Sequence, residues 1–445
     1  MHTLFLLQIF FTFLGFLSVP LFLNPLGLGD FVLAQGQREN TSWLVRVVPG
    51  TSIPGARRVI GDWWQVDGGE YSVLALRPNV VDVRPNRTFK LDDPAPIYAG
   101  PLNAQVHEYP DDPYYPIQWH LPQVQANDAW TINHGISVTV AVLDTGVTRG
   151  KDLVCHTFAA PYNAVTDEEG EEAARDDIGH GTHVAGTIAQ CTDNGLGVAG
   201  MAPDVALMPV KVLVDGVGSE ADLARGILWA VEHGADVINL SLGADCEEDD
   251  VWPECGSEVA DEAIKRAAEA GAIIVAAAGN SGKKTLVYPA NHPDVIAVTA
   301  VNYNANLAFY SNYRYGVTLA APGGDNMDQN LDGYPDGILQ ETFSGDYGWG
   351  YYFMIGTSMA TPHVTGAVAL LRSFAPHAMP ELILQALTQT ARDLGDGGYD
   401  PRYGYGLIQT ADALNFLQMG ETWKNKTFLP NLFTDYAQQD AHLAD

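Results

Sequence analysis

The sequence predicts an α/β protein: a three-layer arrangement with a mostly parallel central sheet, preceded by a small α+β domain. Two observations carry the main domain. Apolar runs of strand length recur from residue 137 onward, and capped amphipathic helical patterns separate them. A strand that is apolar at nearly every position must be covered on both faces, which a parallel sheet between two helical layers achieves. A third observation sets the front apart. Residues 41 to 91 carry short strand-like runs of their own, and a Pro-, Asp- and Gly-rich stretch from Asp92 to Asp112 follows them.

The elements justify themselves in order. Leu4 to Leu23 is almost uninterruptedly apolar and long enough to span a bilayer. Val32-Leu33-Ala34 before Gln35 has the small-residue form of a signal cleavage site. Residues 1–34 are therefore expected to be a removed export signal. An uncleaved anchor is the alternative, since no Lys or Arg precedes the apolar stretch, and the chain meets a membrane only in that case. Either way the remainder is expected outside the cytosol, secreted into the extracellular space or the periplasm. In the front unit TSWLVRVVPG, YSVLALRP and VVDVRPNRTFKL read as strand-like. SVTVAVLD (137–144) and ALMPVKVL (206–213) are continuous apolar strands. Ser219 to His233 reads as a helix, with Ser219 and Asp222 at capping-box spacing and Gly234 closing it. ADVINLSLG (235–243) is a strand, Ser257 to Ala270 a helix stopped by Gly271, and AIIVAAAGN (272–280) and DVIAVTAV (294–301) are further strands.

Composition limits the function. The chain has 445 residues and a formal charge of −31, so a phosphate backbone repels it and nucleic-acid binding is excluded as a primary role. Four cysteines in an exported protein point to disulfides, for which three pairings exist. Cys246 and Cys255 bracket a short acidic loop and are paired on that ground, leaving Cys155 with Cys191.

In open parallel sheets ligands sit beyond the carboxyl ends of the strands. SVTVAVL is followed there by Asp144-Thr145-Gly146, VINL by Ser241-Leu242-Gly243, and IIVAAA by Gly279-Asn280. Two helix starts join them: His180 opens a small-residue helix, and Ser358 stands at the front of GTSMATPHVTGAVALLRSF, where Pro362 is read as a first-turn proline. An acid, an imidazole and an alcohol meeting at one edge suit nucleophilic catalysis. The hydroxyl needs a base to take its proton, and the carboxylate fixes the imidazole tautomer and steadies its charge. Each residue also has a plain alternative as a cap, a turn residue or a satisfied core histidine; their order and joint context favour the site.

The blocks VAVLDTGV, HGTHVAGTIA, AAAGN and GTSMATPHVTGAVA resemble the subtilisin-like serine proteases, the subtilases, over about residues 109 to 415. The resemblance implies Asp144 as orienting acid, His180 as general base and acid, Ser358 as nucleophile, and Asn280 as oxyanion donor beside the Ser358 N–H. His183 and His363 are expected to be structural. It implies that Ser241, Leu242, Gly243, Ala277, Ala278 and Gly279 bind the substrate backbone and line the pocket before the scissile bond. VVDVRPN resembles the last strand of subtilase propeptides. The implied organisation is a propeptide at 35–105 that inhibits its own enzyme, a peptidase domain at 106–415 and a polar tail at 416–445, working as a monomer on protein or peptide substrates. The rival reading is a catalytically silent, calcium-stabilised binding protein on the same fold. The acidic residues 245 and 247–250 after the cleft strand are a candidate source of preference for basic substrates.

Calcium is expected at one or two structural sites. Asp328, Asn330, Asp332 and Asp336 fall at positions 1, 3, 5 and 9 of a calcium-loop pattern with Gly333 at 6, although Leu339 stands where a bidentate Glu belongs and Glu341 lies two residues later. The second site comes from the resemblance alone: side chains of Asp112, Asp152 and Asn194, with carbonyls of Cys191, Leu196 and Val198. Asn40, Asn86 and Asn425 are read as surface glycosylation sequons, and Asn239 as a sequon inside a buried strand.

Overall fold

The computed structural model describes residues 42–68, 71–102, 109–247, 250 and 252–421. An eight-stranded sheet runs, edge to edge, Leu319–Pro322, Val295–Val301, Ile273–Ala277, Val237–Leu240, Thr139–Asp144, Ala206–Lys211, Tyr162–Asn163 and Glu168–Glu169. All neighbouring pairs are parallel except the last.

The unbroken apolar runs are explained by two separate cores. Val140, Val142, Leu207, Val237, Val275 and Val298 face one core, which they share with Val184, Ile188, Val364 and Leu370 of helices His180–Ala189 and Thr357–Phe374. The intervening Ala141, Leu143, Met208, Ile238, Ile274 and Ala297 face the other, with Leu223 and Ile227 of helix Glu220–Glu232 and Val259 and Ile264 of helix Glu258–Glu269. Successive side chains of a strand point to opposite faces, so alternate residues of one apolar run fill two layers. Ser219 caps its helix with the expected reciprocal box to Asp222, and Ser257 accepts the Ala260 N–H at the start of the next.

The front unit is a four-stranded antiparallel sheet in the order Arg57–Ile60, Trp63–Asp67, Ser42–Val47, Val80–Pro85. The 71–75 run read as strand-like is instead the short helix Tyr71–Ala75. A strand would have placed Leu74 and Leu76 on one face, but Leu74 is buried and Leu76 is 84% exposed. Only Leu74 finds room in the small core of Val45, Val47, Ile53 and Val83, and one anchor per turn suits a helix. Leu44, Val59, Ile60 and Trp63 belong to the core shared with helices Glu220–Glu232 and Glu258–Glu269. Arg87 donates to the Gly256 carbonyl at 2.7 Å, and Arg46 pairs with Glu258 at 2.9 Å. Asn86, read as a surface sequon, is buried: its amide donates to Ser42 Oγ at 3.0 Å and its oxygen accepts the Ala221 N–H at 3.3 Å, so it serves the junction between the two sheets' layers. Asn40 and Asn425 lie outside the described residues.

Helix Thr410–Glu421 crosses residue 415, with Leu414 and Leu417 in the main core. Disulfides join Cys155 to Cys191 and Cys246 to Cys255. The apolar run at 4–23 also lies outside the described residues, and among those described no helix is long and apolar enough to cross a membrane.

Candidate active site

Asp144 ends strand Thr139–Asp144 and is fully buried. Its Oδ1 accepts the Thr145 N–H and a hydrogen bond from His180 Nδ1, both at 2.7 Å. His180 opens its helix behind Gly179, whose φ of 94° places it in the region glycine favours. The next residue must also be glycine for space: a Cβ on Gly181 would stand 2.1 Å from the Gly146 carbonyl and 3.0 Å from Asp144 Cβ. The helix start is held by Asp176. Its Oδ1 accepts the Gly179 N–H at 2.9 Å and the Thr145 hydroxyl at 2.8 Å, and its Oδ2 accepts the Thr182 N–H at 2.9 Å. Asp176 thus ties the acid's loop to the imidazole's helix. Its position four residues before His180 was the only sequence signal for it.

The other face of the imidazole is occupied too. Nε2 lies 2.9 Å from Asp93 Oδ2. Burial alone would push His180 down, but the Asp144 carboxylate at one nitrogen and the Asp93 carboxylate at the other hold it well above the ordinary histidine range. His183, by contrast, is pushed down to about 3 by burial and by its neighbour His180, and its Nε2 faces the carbonyls of Ile338 and Tyr352. His363 is lowered by burial to about 4 and bonds Met359 O and His120 Nδ1, both at 2.8 Å. Both serve the core.

Ser358 is the second residue of helix Thr357–Phe374. Its hydroxyl donates to the Ser241 carbonyl at 3.3 Å, and Ser241 Oγ returns a bond to the Ser358 carbonyl at 2.8 Å. Pro362 is not in the first turn as read from the sequence; it is the sixth helical residue. A proline there removes the N–H that would meet the carbonyl four residues earlier, which is that of Ser358. The Ser241 hydroxyl fills the gap. Ser241 Oγ in turn accepts from Asn239 Nδ2 at 2.9 Å, and Asn239 Oδ1 accepts the Thr365 hydroxyl at 2.8 Å. Asn239, a sequon by sequence, is fully buried in this relay.

Asn280 closes the group. Its Oδ1 accepts both the Thr357 N–H at 2.8 Å and the Thr357 hydroxyl at 2.9 Å, and its Nδ2 donates to Asp93 Oδ1 at 2.6 Å. The structure therefore brings His180 and Asn280 together on the Asp93 carboxylate, with Asp144 behind the imidazole and Gly356 against the carboxylate: a Cβ on Gly356 would stand 2.1 Å from Asp93 Oδ1. Ser358 adjoins them in a small cleft lined by Ser241, Leu242, Gly243, Ala277, Gly279, Asn280, Val287 and Thr357. Ala278 is buried behind that wall, where its N–H reaches the Val298 carbonyl.

The chain before Asp93 lies in this cleft as a strand. Thr88–Lys90 pairs antiparallel with Val217–Ser219 on one side, and Lys90 bridges Gly243 on the other. The N–H of Lys90 donates to Gly243 O at 3.3 Å and that of Leu91 to Gly216 O at 3.0 Å, while Lys90 Nζ stands 3.4 Å from Asp245.

The two expected metal clusters differ in character. Asp112 and Asp152 are fully buried and, among the described residues, have no basic side chain in ion-pair contact. Asp152 Oδ1 accepts from Asn194 Nδ2 at 2.8 Å and Oδ2 from the Val198 N–H at 3.0 Å; Asp112 accepts the Asp193 N–H at 2.8 Å. The Cys191 N–H donates to the Asp152 carbonyl, and the Leu196 N–H to Asn194 Oδ1. Burial raises Asp112 to about 6 and Asp152 to about 7, with repulsion from Glu341 and Asp112 adding to the second. Glu341 belongs here and not to the 328–336 loop: its carboxylate accepts the N–H groups of Lys151 and Asp152 at 3.1 and 2.8 Å. In that loop Asp328 accepts the N–H groups of Asp332 and Gly333, Asn330 that of Asp332, and Asp332 that of Tyr334. Asp336 is raised to about 6, chiefly by burial. Leu339 packs in a core with Ile117, Val198 and Phe353, so the twelfth position contributes no oxygen from its side chain.

The model of the subtilase family of peptidases matches residues 135–406. An alkaline elastase of Bacillus sp. (strain YaB) is 34% identical over 362 residues, 78% of this chain and 86% of the relative. Subtilisin Savinase of Lederbergia lenta is 37% identical over 301 residues, 67% of this chain and 98% of the relative. A solved protease structure from Pseudoalteromonas arctica PAMC 21717 superposes with a TM-score of 0.61 at 32% identity, covering 69% of this chain and 99% of its own.

Proposed function

The chain belongs to the subtilase family of serine proteases, and on that premise we propose that it is a secreted endopeptidase, made as a zymogen that processes itself, with Asp144, His180 and Ser358 as its triad. The observation that carries this is the imidazole bonded to the buried Asp144 at Nδ1 and, at Nε2, to Asp93, whose other oxygen meets Asn280 of the cleft that Ser358 borders. His180 takes the Ser358 proton as Oγ attacks a peptide carbonyl. The developing oxyanion is met by the Ser358 N–H, at a helix start whose dipole favours negative charge, and by Asn280 Nδ2. His180 then delivers its proton to the leaving nitrogen, and water repeats the sequence on the acyl-enzyme. Asp144 fixes the tautomer, and Asp176 positions both partners. Gly243 and Gly216, free of side chains, offer carbonyls to a substrate strand laid between them. The 42–85 sheet is the inhibitory propeptide, docked on the two helices of the second core.

Structural calcium fits the cluster of Asp112, Asp152 and Asn194. Two fully buried carboxylates with a third nearby repel one another, and a hard cation with oxygen ligands relieves that. Asp328, Asn330 and Asp332 accept the amides of one turn, and with Asp336 they form the second candidate. The ion's contribution is to brace loops outside the reacting groups.

Exposure of the exported protein to a serine-directed fluorophosphonate, followed by peptide mass spectrometry, tests the proposal. The label is expected on Ser358, and Ser358→Ala is expected to abolish both labelling and peptide cleavage with the fold intact. Cleavage that survives Ser358→Ala refutes it and leaves the chain without this nucleophile.

A further inference from the structure

Residues 88 to 93 do more than cover the cleft. Lys90 and Leu91 donate successive backbone N–H groups to the two cleft walls, at the Gly243 and Gly216 carbonyls, so the chain lies between the walls as a bound strand does when it reaches the site. Two residues beyond Lys90, the Asp92 carbonyl oxygen lies 3.4 Å from Asn280 Nδ2, the donor assigned to the oxyanion, and Asp92 borders the cleft with Ser358. The following residue, Asp93, buries its side chain to 4% exposure and bridges His180 Nε2 and Asn280 Nδ2 with its two oxygens. Both groups that would act on the bond are engaged by the side chain on its leaving side. The carboxylate resembles the charge that develops in the reaction, but it is held in place of that charge.

We propose that Asp92–Asp93 is the bond the enzyme cuts in its own chain, and that the Asp93 carboxylate, clamped between His180 and Asn280, delays that cut. The inference rests on the proposed protease activity and deepens it. Release of the clamp frees Nε2. Ser358 Oγ then attacks the Asp92 carbonyl carbon and its proton passes to Nε2. The C–N bond breaks as His180 protonates the Asp93 nitrogen, and water hydrolyses the Asp92 ester, returning a proton to Oγ. The products are an Asp92 carboxylate and an Asp93 amine. After the cut the new end stays anchored, because Ile97–Tyr98 pairs with strand Gly348–Met354.

The clamp depends on the imidazole's proton. The groups around it are Asp144 on the neighbouring strand, Asp93 on the linker, Asp176 ahead of the helix and His183 on the helix itself; the Ser358 helix presents no charged side chain there. With Asp93 Oδ2 bonded at Nε2, that nitrogen is occupied and does not receive a proton from Ser358.

The test uses the full chain. Time-resolved mass spectrometry during maturation is expected to show Asp92 and Asp93 as the first new ends; a first cut elsewhere overturns the assignment. Asp93→Asn keeps the shape, removes the charge, and is expected to speed processing roughly tenfold, the size of one charge-assisted hydrogen bond. In a Ser358→Ala background, which cannot cut, the same substitution is expected to lower the His180 titration midpoint by about one unit or more, read by imidazole NMR. Unchanged processing in Asp93→Asn overturns the clamp even if the enzyme is a protease. A lowered midpoint with no cleavage or labelling in any variant leaves the contact real but overturns the protease reading, and the processing bond with it.

Discussion

Substitution of Ser241 by Ala removes one hydroxyl and strands two buried groups. The Ser358 carbonyl lacks the helical donor that residue 362, a proline, would supply and takes the Ser241 hydroxyl instead, while Asn239 Nδ2 donates to Ser241 Oγ. Asn239 and Ser241 are fully buried, so water does not replace the lost partner. A buried polar group left unsatisfied costs about 1–3 kcal/mol, and two of them set an expected loss of about 2–5 kcal/mol. For a domain of about 300 residues that is a drop in melting temperature of roughly 3–8 °C. The assay is chemical denaturation in the Ser358→Ala background, where self-digestion does not interfere. Pro362→Ala supplies the missing N–H, so the double variant Ser241→Ala/Pro362→Ala is expected to recover part of the loss, with a coupling of about 1 kcal/mol or more. A cost below about 0.5 kcal/mol for Ser241→Ala, or strict additivity in the cycle, refutes the claim that hydroxyl and proline are one device.

Asn280→Ala is expected to lower kcat by about a hundred- to a thousandfold with a smaller change in KM, measured on a chromogenic peptide. Stability also falls, because Thr357 loses its acceptor at the helix start. Joint replacement of Cys155 and Cys191 by Ser opens a loop of sequence separation 36 and is expected to cost about 3–4 kcal/mol in denaturant titration. The carboxyls of Asp112 and Asp152 are raised to about 6 and about 7, above their unfolded values. Their charging therefore destabilises the fold, and in chelator the chain is expected to lose stability as pH rises from about 4 to about 7. The proposed calcium would bind the charged forms, so the gap in melting temperature between calcium and chelator is expected to widen over the same window; a gap independent of pH counts against this ligand set.

The sheet was legible because each strand is apolar at nearly every position and each helix carries its own cap, as with Ser219 and Asp222. The placement of Asp144, His180, Asn280 and Ser358 was legible because a strand end or a helix start presents each of them in a recognisable block. What escaped was set by contacts between distant segments. Asp93 lies in a linker whose composition suggested only a connection, and its partners are 87 and 187 residues away in the chain. Glu341 was weighed for the wrong loop because sequence distance favoured the 328–336 turn, while the strand Ile338–Ser344 turns it toward Asp152. Tyr71–Ala75 was misread because β-branched and aromatic residues favour strands only where a sheet has room for them.

The strand Ile338–Ser344 has one more consequence. Its Glu341 grips the amides beside Asp152, its Thr342 hydroxyl bonds the Gly179 carbonyl, and its Ile338 carbonyl receives His183. Neighbouring residues of one strand thus hold the acidic loop through Glu341 and the start of the His180 helix through Thr342. If the proposed calcium sits at Asp112 and Asp152, its removal is expected to slow the proposed turnover in a molecule that is still folded, before the melting temperature falls far.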